Sequence, residues 1–260
     1  MRVSFPLATL FATVALAGCF SFGGHISSSH AYHQSLHRSF ATSGPASVHL
    51  TNVSGSIAVR AWNKPGVQID ALKYGGSRRD LTETDIVIDR SGNTIRVYTK
   101  YLKQDGAFGL DVHHGASVDY TLHVPARTAL EIANVSGSIR VEGIAGPVHI
   151  ADVSGSISAT GDGGDIRIAT TSGSIDASVP RLAGSTSVDI ATMSGSIHLT
   201  IPKNSSASLK IGTAAGSISS TFPLQVKKEA VGSSATGTIG HGSASVHLAT
   251  MAGSISIGSN

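Results

Sequence analysis

A nine-residue phrase recurs along this chain and constrains its fold more than any other feature. The phrase reads ANVSGSIRV at residues 133–141, ADVSGSISA at 151–159, ATTSGSIDA at 169–177 and ATMSGSIHL at 191–199. Aligned on its glycine, it has seven copies, and the successive spacings are 82, 18, 18, 22, 21 and 37 residues. A recurring internal period of roughly 20 residues indicates stacked structural units.

Each copy places the same two residue types after its glycine, first serine and then isoleucine. Glycine suits a tight corner because it tolerates positive φ and close backbone approach, and the flanking serines can hydrogen-bond to the turn. We therefore predict that the glycines are structural corners and that the isoleucines form a ladder in the core. The corners are Gly55, Gly137, Gly155, Gly173, Gly195, Gly216 and Gly253, and the ladder is Ile57, Ile139, Ile157, Ile175, Ile197, Ile218 and Ile255.

Two short alternating runs separated by turns make up one period. SIRVEG alternates Ile139 and Val141, GIAG follows as a turn, and PVHIAD alternates Val148 and Ile150. Such alternation directs one set of side chains inward and the other outward. Eighteen residues are too few for a βαβ crossover, and the density of Ser, Gly, Thr and β-branched residues disfavours a helix. Tandem antiparallel hairpins and a coil of stacked parallel strands remain as chain paths.

The identity of the copies favours the coil. In hairpins, the Gly-Ser-Ile unit of one repeat would face a different part of the next repeat. In a coil, each isoleucine lies directly over the previous one at about 4.8 Å, so identical side chains form a ladder and every corner needs the same geometry. The predicted fold class is all-β, a single-stranded parallel β-solenoid (β-helix) with an irregular N-terminal β cap.

The domain organisation follows from where the repeat is regular. We predict a signal peptide at 1–18, a tether rich in Ser, Gly and His at 19–45, an N-terminal β section with an opening rung and cap at 46–129, and solenoid repeats at 130–260. The cap would cover an open sheet edge, which otherwise invites pairing with other chains. FPLQVKKEAVG, at 222–232, lengthens the last period and is expected to cover part of the other end.

The N-terminus has the layout of a secretory signal followed by a lipidation site. Met1 and Arg2 supply a positive start, an apolar stretch follows, and Leu-Ala-Gly-Cys ends at Cys19, the only cysteine of the chain. The apolar stretch is too short to span a bilayer as a stable helix. Leu-Ala-Gly-Cys resembles a bacterial lipobox, so we predict that Cys19 is lipidated and anchors the chain to a membrane. An ordinary signal peptide with a chance cysteine is the alternative.

Composition excludes one class of function. Charged residues make up 13% of the chain, the formal net charge is +3, and no dense run of Lys and Arg is present. Nucleic-acid binding is therefore not expected.

Several segments together resemble a known group. They are the VSGSI corners, VRAWNKPGV at 59–67, VDYTLHVPARTALEIANVSGSIRVEGIAG at 118–146 and the closing GTIGHGSASVHLATMAGSISI. These resemble the bacterial putative-adhesin β-strand-repeat family, largely described as a domain of unknown function, over roughly residues 46–257. The resemblance implies a β-solenoid, a cell-envelope location and no established enzyme activity. Corners in that family commonly read Val-Ser-Gly-Asp, whereas serine replaces the aspartate here, so cation binding by stacked aspartates is not expected.

Motifs for chemistry are sparse, and we predict no catalytic site, no metal site and no cofactor. GDGGD (161–165) resembles a fragment of a calcium-binding repeat, but it occupies the same slot as GIAGP (143–147), which favours a turn. The histidines of the tether and of the segment DVHHG could ligate a metal, but no carboxylate or thiolate accompanies those of the tether. Outward acids fall at different positions of the rung, which disfavours acid–base catalysis. The residues concerned are His25, His30, His33, His37, His113 and His114, and the acids Asp152, Asp165, Asp176 and Asp189.

Aromatic residues concentrate in the N-terminal section, where Trp62, Tyr98 and Tyr101 form the candidate interaction patch; filling of a small cap core is the alternative. We expect a lipid-anchored, non-catalytic envelope protein, with an adhesin or structural interaction role and a protein or polysaccharide partner. Phe20 follows Cys19 where an inner-membrane-retaining Asp would often sit, so outer-membrane sorting is expected for a Gram-negative cell. A periplasm-facing scaffold or accessory factor in envelope sensing is the main alternative, and a polysaccharide-active enzyme is a weaker one.

Overall fold

Short strands form almost all of the regular structure. A computed structural model describes residues 32–102, 115–161, 163–182, 184–228 and 232–260, which contain 21 strands and one short helix, α1 (Arg78–Thr82). The strands are β1 (Tyr32–Phe40), β2 (Ser47–Thr51), β3 (Ile57–Trp62), β4 (Val67–Gly75), β5 (Thr84–Ser91), β6 (Thr94–Tyr101), β7 (Ser117–Pro125), β8 (Ala129–Ser136), β9 (Ile139–Ile144), β10 (Val148–Ser154), β11 (Ile157–Gly161), β12 (Ile166–Ser172), β13 (Ile175–Ser178), β14 (Ser187–Ser194), β15 (Ile197–Ile201), β16 (Ala207–Ala215), β17 (Ile218–Ser220), β18 (Gln225–Lys228), β19 (Ser233–Ile239), β20 (Ala244–Ala252) and β21 (Ile255–Ser259).

The chain alternates between two large sheets through the repeat region. Sheet A has ten described strands in the order β1-β4-β7-β3-β9-β11-β13-β15-β21-β17. Sheet B has eleven, in the order β18-β19-β16-β20-β14-β12-β10-β8-β2-β6-β5. A strand of sheet B, a corner and a strand of sheet A make one rung, and neighbouring rungs pair in parallel. The all-β class and the parallel strands are as the sequence predicts.

Identical residues face each other across neighbouring rungs. In sheet A, Ile157 lies opposite Ile139 on one side and Ile175 on the other. The alternation of each strand sends these isoleucines inward, where the two sheets share one hydrophobic core, while Arg140 points to solvent. Register is thus determined by the period of two along each strand, because a one-residue slip would expose the core side chains.

The order of the rungs differs from their order in the sequence at both ends of the stack. The last rung of the chain, β20 and β21, lies between the rung of β14 and β15 and the rung of β16 and β17. At the other end, β6 and β7 lie outside β2 and β3. The expectation that each isoleucine lies over the previous one in sequence is therefore wrong at the C-terminal end, where Ile255 lies between Ile197 and Ile218.

Antiparallel strands close most of the sheet ends. At the N-terminal end, β4 and β1 extend sheet A beyond β7, and β5 extends sheet B beyond β6. At the C-terminal end, β19 and β18 extend sheet B beyond β16. Sheet A ends there at β17, which has only three residues. A strand as short as β17 offers little edge for pairing with other chains.

The segment expected as a tether contains a strand. Residues 32–40 form β1, which pairs antiparallel with β4 along its whole length. Its side chains are mostly exposed, and only Leu36 and Phe40 pack partly against the core. The pairing uses backbone groups of the edge of β4, so it requires no apolar alternation that sequence analysis could detect. In the described part of the chain, no helix is long and apolar enough to cross a membrane.

Candidate functional site

The glycines that we predicted as corners lie where neighbouring rungs approach most closely. Gly173 has φ of +141°, and an ideal Cβ on it would lie 1.8 Å from the carbonyl oxygen of Gly155. The same approach recurs at the next rung, where a Cβ on Gly195 would lie 2.0 Å from the carbonyl oxygen of Gly173. Because backbone cannot yield as a flexible side chain does, each corner excludes any larger residue.

The predicted isoleucine ladder lies in the core except at one end. Six of the seven side chains are 0–1% exposed, whereas Ile218 is only partly buried because its rung is the outermost of sheet A. At the opposite end, Tyr120 occupies the ladder position next to Ile57 and covers it. The six buried members are Ile57, Ile139, Ile157, Ile175, Ile197 and Ile255.

A buried polar ladder supports the corners from inside. It occupies the position three residues before each corner glycine, and three of its four threonine hydroxyls donate to glycine carbonyls of adjacent rungs. The hydroxyl of Thr250 donates to the carbonyl of Gly195 at 3.1 Å, and that of Thr213 donates to Gly253 at 3.0 Å. The ladder thus satisfies corner groups that face away from water. Its members are Asn52, Asn134, Asp152, Thr170, Thr192, Thr250 and Thr213.

Asp152 is the one acid of this ladder, and its environment disfavours the charged form. The sequence suggested an outward acid, but the residue is only 6% exposed. Asn134 donates from Nδ2 to Oδ1 of Asp152 at 3.0 Å, while Oδ2 is buried without a hydrogen bond of ordinary geometry among the described residues. Burial raises the pKa of Asp152, and hydrogen bonds that favour the carboxylate offset only part of that effect.

An open groove of about 390 Å³ runs beside the corners on the outer face of sheet A. Serine hydroxyls line it at successive rungs, and three ionisable side chains border it, Arg140, Asp176 and His198. These three project from different strands, and among the described ion pairs none joins two of them; Arg140 instead pairs with Glu142 at 3.6 Å. The arrangement can offer hydrogen bonds to a polar partner, but it holds no pair of carboxylates for acid–base chemistry. The serines are Ser138, Ser156, Ser174 and Ser196.

The predicted aromatic patch is divided between the two sheets. Trp62 ends β3 in sheet A, where its ring stacks on His123 at 5.5 Å between centroids and its Nε1 donates to the carbonyl of Gly66. Tyr98 and Tyr101 lie on β6 in sheet B, and the Tyr101 hydroxyl donates to the backbone of the segment before β7. The three aromatics therefore do not form one patch, because β3 and β6 belong to opposite faces of the core.

A cluster of polar side chains lies near Trp62 on the outer face of sheet A. His37 of β1 hydrogen-bonds Asp70 of β4, and the side chain of Gln68 donates to the same carboxylate at 2.7 Å. Partial burial acts to raise the pKa of Asp70, but the hydrogen bonds from Gln68 and His37 outweigh it and leave the pKa below its ordinary value. This pairing joins the edge strand β1 to the cap.

The other candidate residues from the sequence either belong to turns and strands of the fold or lie outside the described residues. In GDGGD, Asp165 accepts a hydrogen bond from the backbone N–H of Ser187 at 2.8 Å, as a turn residue would. His33 and His37 lie on β1. Within the described ranges, no group of three or more His, Cys, Asp or Glu side chains could hold a metal ion. Cys19, His25, His30, His113 and His114 fall outside those ranges.

One surface feature escaped sequence analysis. Large apolar side chains stand exposed at the position two residues before the corner glycine in five of the seven rungs. We call the seven residues at this position the apolar corner column. The sequence feature that could have revealed the column is the lack of a charged residue at this position in any copy. In stacking order the column consists of Val53, Val135, Val153, Thr171, Met193, Met251 and Ala214.

Comparison with known proteins identifies a family and a shared fold. Residues 114–258 match the model of the family described as Toastrack, DUF4097. The crystal structure of a putative cell adhesion protein from Clostridium sporogenes is similar over 88% of this chain and 100% of that chain, with a TM-score of 0.53 and 12% identity. A putative adhesin from Bacteroides fragilis matches 86% of this chain and 97% of its own, with a TM-score of 0.31 and 12% identity. No curated protein matches the chain.

Proposed function

This chain belongs to the Toastrack family, DUF4097, as its resemblance to putative adhesins indicated, and from that premise we propose that it is a lipid-anchored, non-catalytic interaction protein of the bacterial cell envelope with an adhesin-like role. We further propose that its stack of rungs is a single-stranded β-solenoid, capped by antiparallel strands. The Clostridium relative shares the fold at low identity, so it supports the architecture alone.

The observation that carries this proposal is the regularity of the outer surface. The two sheets present the same outward positions at successive rungs, with a row of hydroxyls along the groove. Extended repetitive surfaces of this kind suit contact with an extended partner, as in other stacked-repeat proteins. A polysaccharide or a protein of the envelope would match the polar groove.

The surface acids support a role without catalysis. Asp189 of sheet B lies 3.2 Å from Arg167 and 3.4 Å from His247, so neighbouring side chains engage its carboxylate. Asp176 borders the groove of sheet A on the other side of the core. Glycoside cleavage needs two carboxyl groups about 5–10 Å apart around one bond, and these two acids lie on opposite faces.

The proposed anchor is Cys19, and twelve residues separate it from the first residue of β1, Tyr32. Several acyl chains at about 0.8 kcal/mol per buried methylene would hold the chain at the membrane essentially permanently. Phe20 supports sorting to an outer membrane, which leaves two orientations, one facing outward and one facing the periplasm.

Protease shaving of intact and lysed cells, combined with membrane fractionation, tests this proposal. We expect the wild-type chain to fractionate with the membrane and to be cleaved on intact cells, while Cys19→Ser is lost from the membrane fraction. A soluble periplasmic protein that is cleaved only after lysis serves as the control. Protection until lysis would contradict the adhesin role and favour a periplasmic scaffold or an accessory factor in envelope sensing. Membrane retention of Cys19→Ser would show that the anchor is elsewhere.

A further inference from the structure

Among the described residues, most of the exposed large hydrophobic side chains lie in one line, the apolar corner column. The described residues include eight exposed large hydrophobic side chains, and five of them belong to the column. Their exposed fractions range from 40% to 58%. Single exposed apolar residues are ordinary, but a contiguous exposed patch marks contact with a protein, a membrane or a ligand. The five are Val53, Val135, Val153, Met193 and Met251.

The residues around the column make it an amphipathic edge. On sheet B, the next outward position is occupied by small residues, among them Ala151 and Ala169, which lie in register with each other. On the other side lie the serines that flank the corner glycine, such as Ser154 and Ser156. No charged residue occurs at the column position, the corner glycine or its two flanking positions in any of the seven copies. The edge therefore carries an apolar line bordered by hydroxyls, without a charge that would have to be desolvated.

The size of this edge disfavours a free protein as its partner. Seven rungs at about 4.8 Å give a length of about 30 Å, and two outward positions give a width of about 10 Å. The resulting area of about 300 Å² is well below the roughly 800 Å² that each partner contributes to a standard stable interface. A stable second copy of this chain on this edge would therefore need a larger surface than the edge offers.

A partner that is already held close to this edge can bind it stably through a smaller contact area than a free partner needs. Twelve residues lie between Cys19 and Tyr32, and a chain of that length reaches at most about 45 Å, so a lipidated chain keeps its stack near the bilayer. Tethering of this kind makes the second contact intramolecular and raises its effective concentration. The chain that leads from Cys19 enters the stack at β1, the outermost strand at one end of sheet A. The long side of the stack can therefore contact the bilayer.

We propose that the apolar corner column rests on the lipid bilayer, so that the stack lies on its side with the column among the head groups. This inference depends on the lipid anchor of the proposed function. Interfacial segments bury an apolar face about 5–10 Å into the head-group boundary, and the flanking hydroxyls of Ser154 and Ser156 can donate to head-group phosphates there. The row of Val and Met side chains has no single complementary shape to match, which suits a fluid partner.

An environment-sensitive fluorophore on Thr171→Cys tests the contact. In the lipidated chain the thiol of Cys19 is blocked by lipid, so the new cysteine is the only labelling site. We expect a blue shift and quenching by lipid-borne quenchers when the protein is reconstituted in vesicles of phosphatidylethanolamine and phosphatidylglycerol. The shift should persist at high salt because the contact is apolar. Val226→Cys, at a side chain 51% exposed but outside the column, is the matched control and should show no shift.

A second variant separates the possible failures. Combined Val135→Ser, Val153→Ser and Met193→Ser should abolish the shift at the Thr171→Cys label while leaving the fold intact by circular dichroism, whereas Val226→Ser should leave the shift unchanged. A protein that floats with the vesicles while its label stays in a polar environment would overturn the docking and leave the anchor standing. A wild-type chain that does not float would overturn both proposals. A shift that depends on protein concentration without vesicles would overturn bilayer contact in favour of self-association.

Discussion

At the residue scale, six of the seven corners impose two requirements that glycine alone meets, a positive φ and a close backbone approach. Gly173 combines a φ of +141° with a neighbouring carbonyl oxygen only 1.8 Å from where a Cβ would lie. Not every glycine of the stack faces such a limit. Gly212, on β16, has open space around its Cβ position and lies opposite Ala249. Glycine is therefore obligatory at a corner such as Gly173 and replaceable at Gly212.

Alanine substitution separates these two kinds of glycine. We expect Gly173→Ala to lower the free energy of unfolding by about 2–5 kcal/mol, because left-handed strain and overpacking against backbone add. Gly212→Ala should be neutral or stabilise by up to about 1 kcal/mol, since it removes freedom from the unfolded chain. Urea denaturation followed by circular dichroism measures both. Equal effects at the two positions would contradict the close approach at the corner.

The buried carboxyl of Asp152 makes stability depend on pH. Its pKa is raised in the folded state by burial, so the charged form is less stable there than in the unfolded chain. We expect Asp152→Asn and Asp152→Thr to stabilise the protein at about pH 7 by about 1–3 kcal/mol, the cost of an unsatisfied buried group. Thr is the residue that the ladder uses at four other rungs.

The sign of the pH effect follows from the raised pKa. Wild type should regain stability relative to Asp152→Asn as the pH falls through the raised pKa toward the ordinary value of 3.8, and should lose it as the pH rises. Denaturation curves at neutral and acidic pH measure this difference. Asp176→Asn, at an exposed acid, is the control. A difference in free energy of unfolding between wild type and Asp152→Asn that does not change with pH would contradict this explanation.

At the element scale, parallel neighbours of similar pattern hold each central strand of the repeat region. β11 contacts β9 and β13 with its isoleucine and alanine or valine positions in register. The outermost strand of sheet A, β17, has one neighbour among the described strands, β21, and its isoleucine stays partly exposed. Central and terminal rungs should therefore contribute unequally to stability, although their sequences are nearly the same.

Alanine substitution in the isoleucine ladder measures that inequality. Ile157→Ala should cost about 2–5 kcal/mol, because Ile157 is 1% exposed and a cavity would form between two rungs. Ile218→Ala removes the same atoms from a partly exposed site and should cost clearly less. The measurement is the free energy of unfolding from urea titrations. A loss below about 0.5 kcal/mol for Ile157→Ala, far short of the cost of a core cavity, would show that this side chain is not in the core.

At the scale of the whole molecule, the order of the rungs in the stack differs from their order in the sequence at both ends. β20 and β21 end the described chain but lie one rung inside the stack, with β16, β17 and the hairpin strands β18 and β19 outside them. The N-terminal end has the same arrangement, because β6 and β7 follow β2 and β3 in the sequence but lie outside them in the stack. Both the first and the last rung of the sequence are thus paired on two sides, which protects them from fraying and from pairing with other chains.

Disulfide trapping tests this order. In a Cys19→Ser background, Ser219→Cys with Ser256→Cys should cross-link, as should His198→Cys with Ser256→Cys, because each pair lies in register on neighbouring strands. His198→Cys with Ser219→Cys should not, since two rungs separate them by about 10 Å. Gel mobility under non-reducing conditions reports the outcome. Cross-linking of His198→Cys with Ser219→Cys, and not of His198→Cys with Ser256→Cys, would mean that the rungs stack in sequence order.

Features that depend on residues close together in the sequence could be predicted, whereas features that depend on contacts between rungs could not. The predicted corners, such as Gly155, depend on local spacing and on recurrence, both visible in the sequence. The exposed column and the burial of Asp152 were missed because a turn residue can face either way, and only the neighbouring rung decides. Trp62 and Tyr98 were grouped by proximity along the chain, although a rung carries successive strands to opposite sheets.

The sequence by itself determined the all-β class, the period, the positions of the corners and the inward face of the repeat strands, because these depend on alternation and on residue type at a fixed spacing. The tertiary structure alone decided the order of the rungs, the pairing of β1 with β4 and the alignment of the apolar corner column. Those features depend on which sheet edges are free when distant segments meet. Nearly identical repeats pair equally well with several neighbours, so their sequences cannot specify which neighbour is chosen.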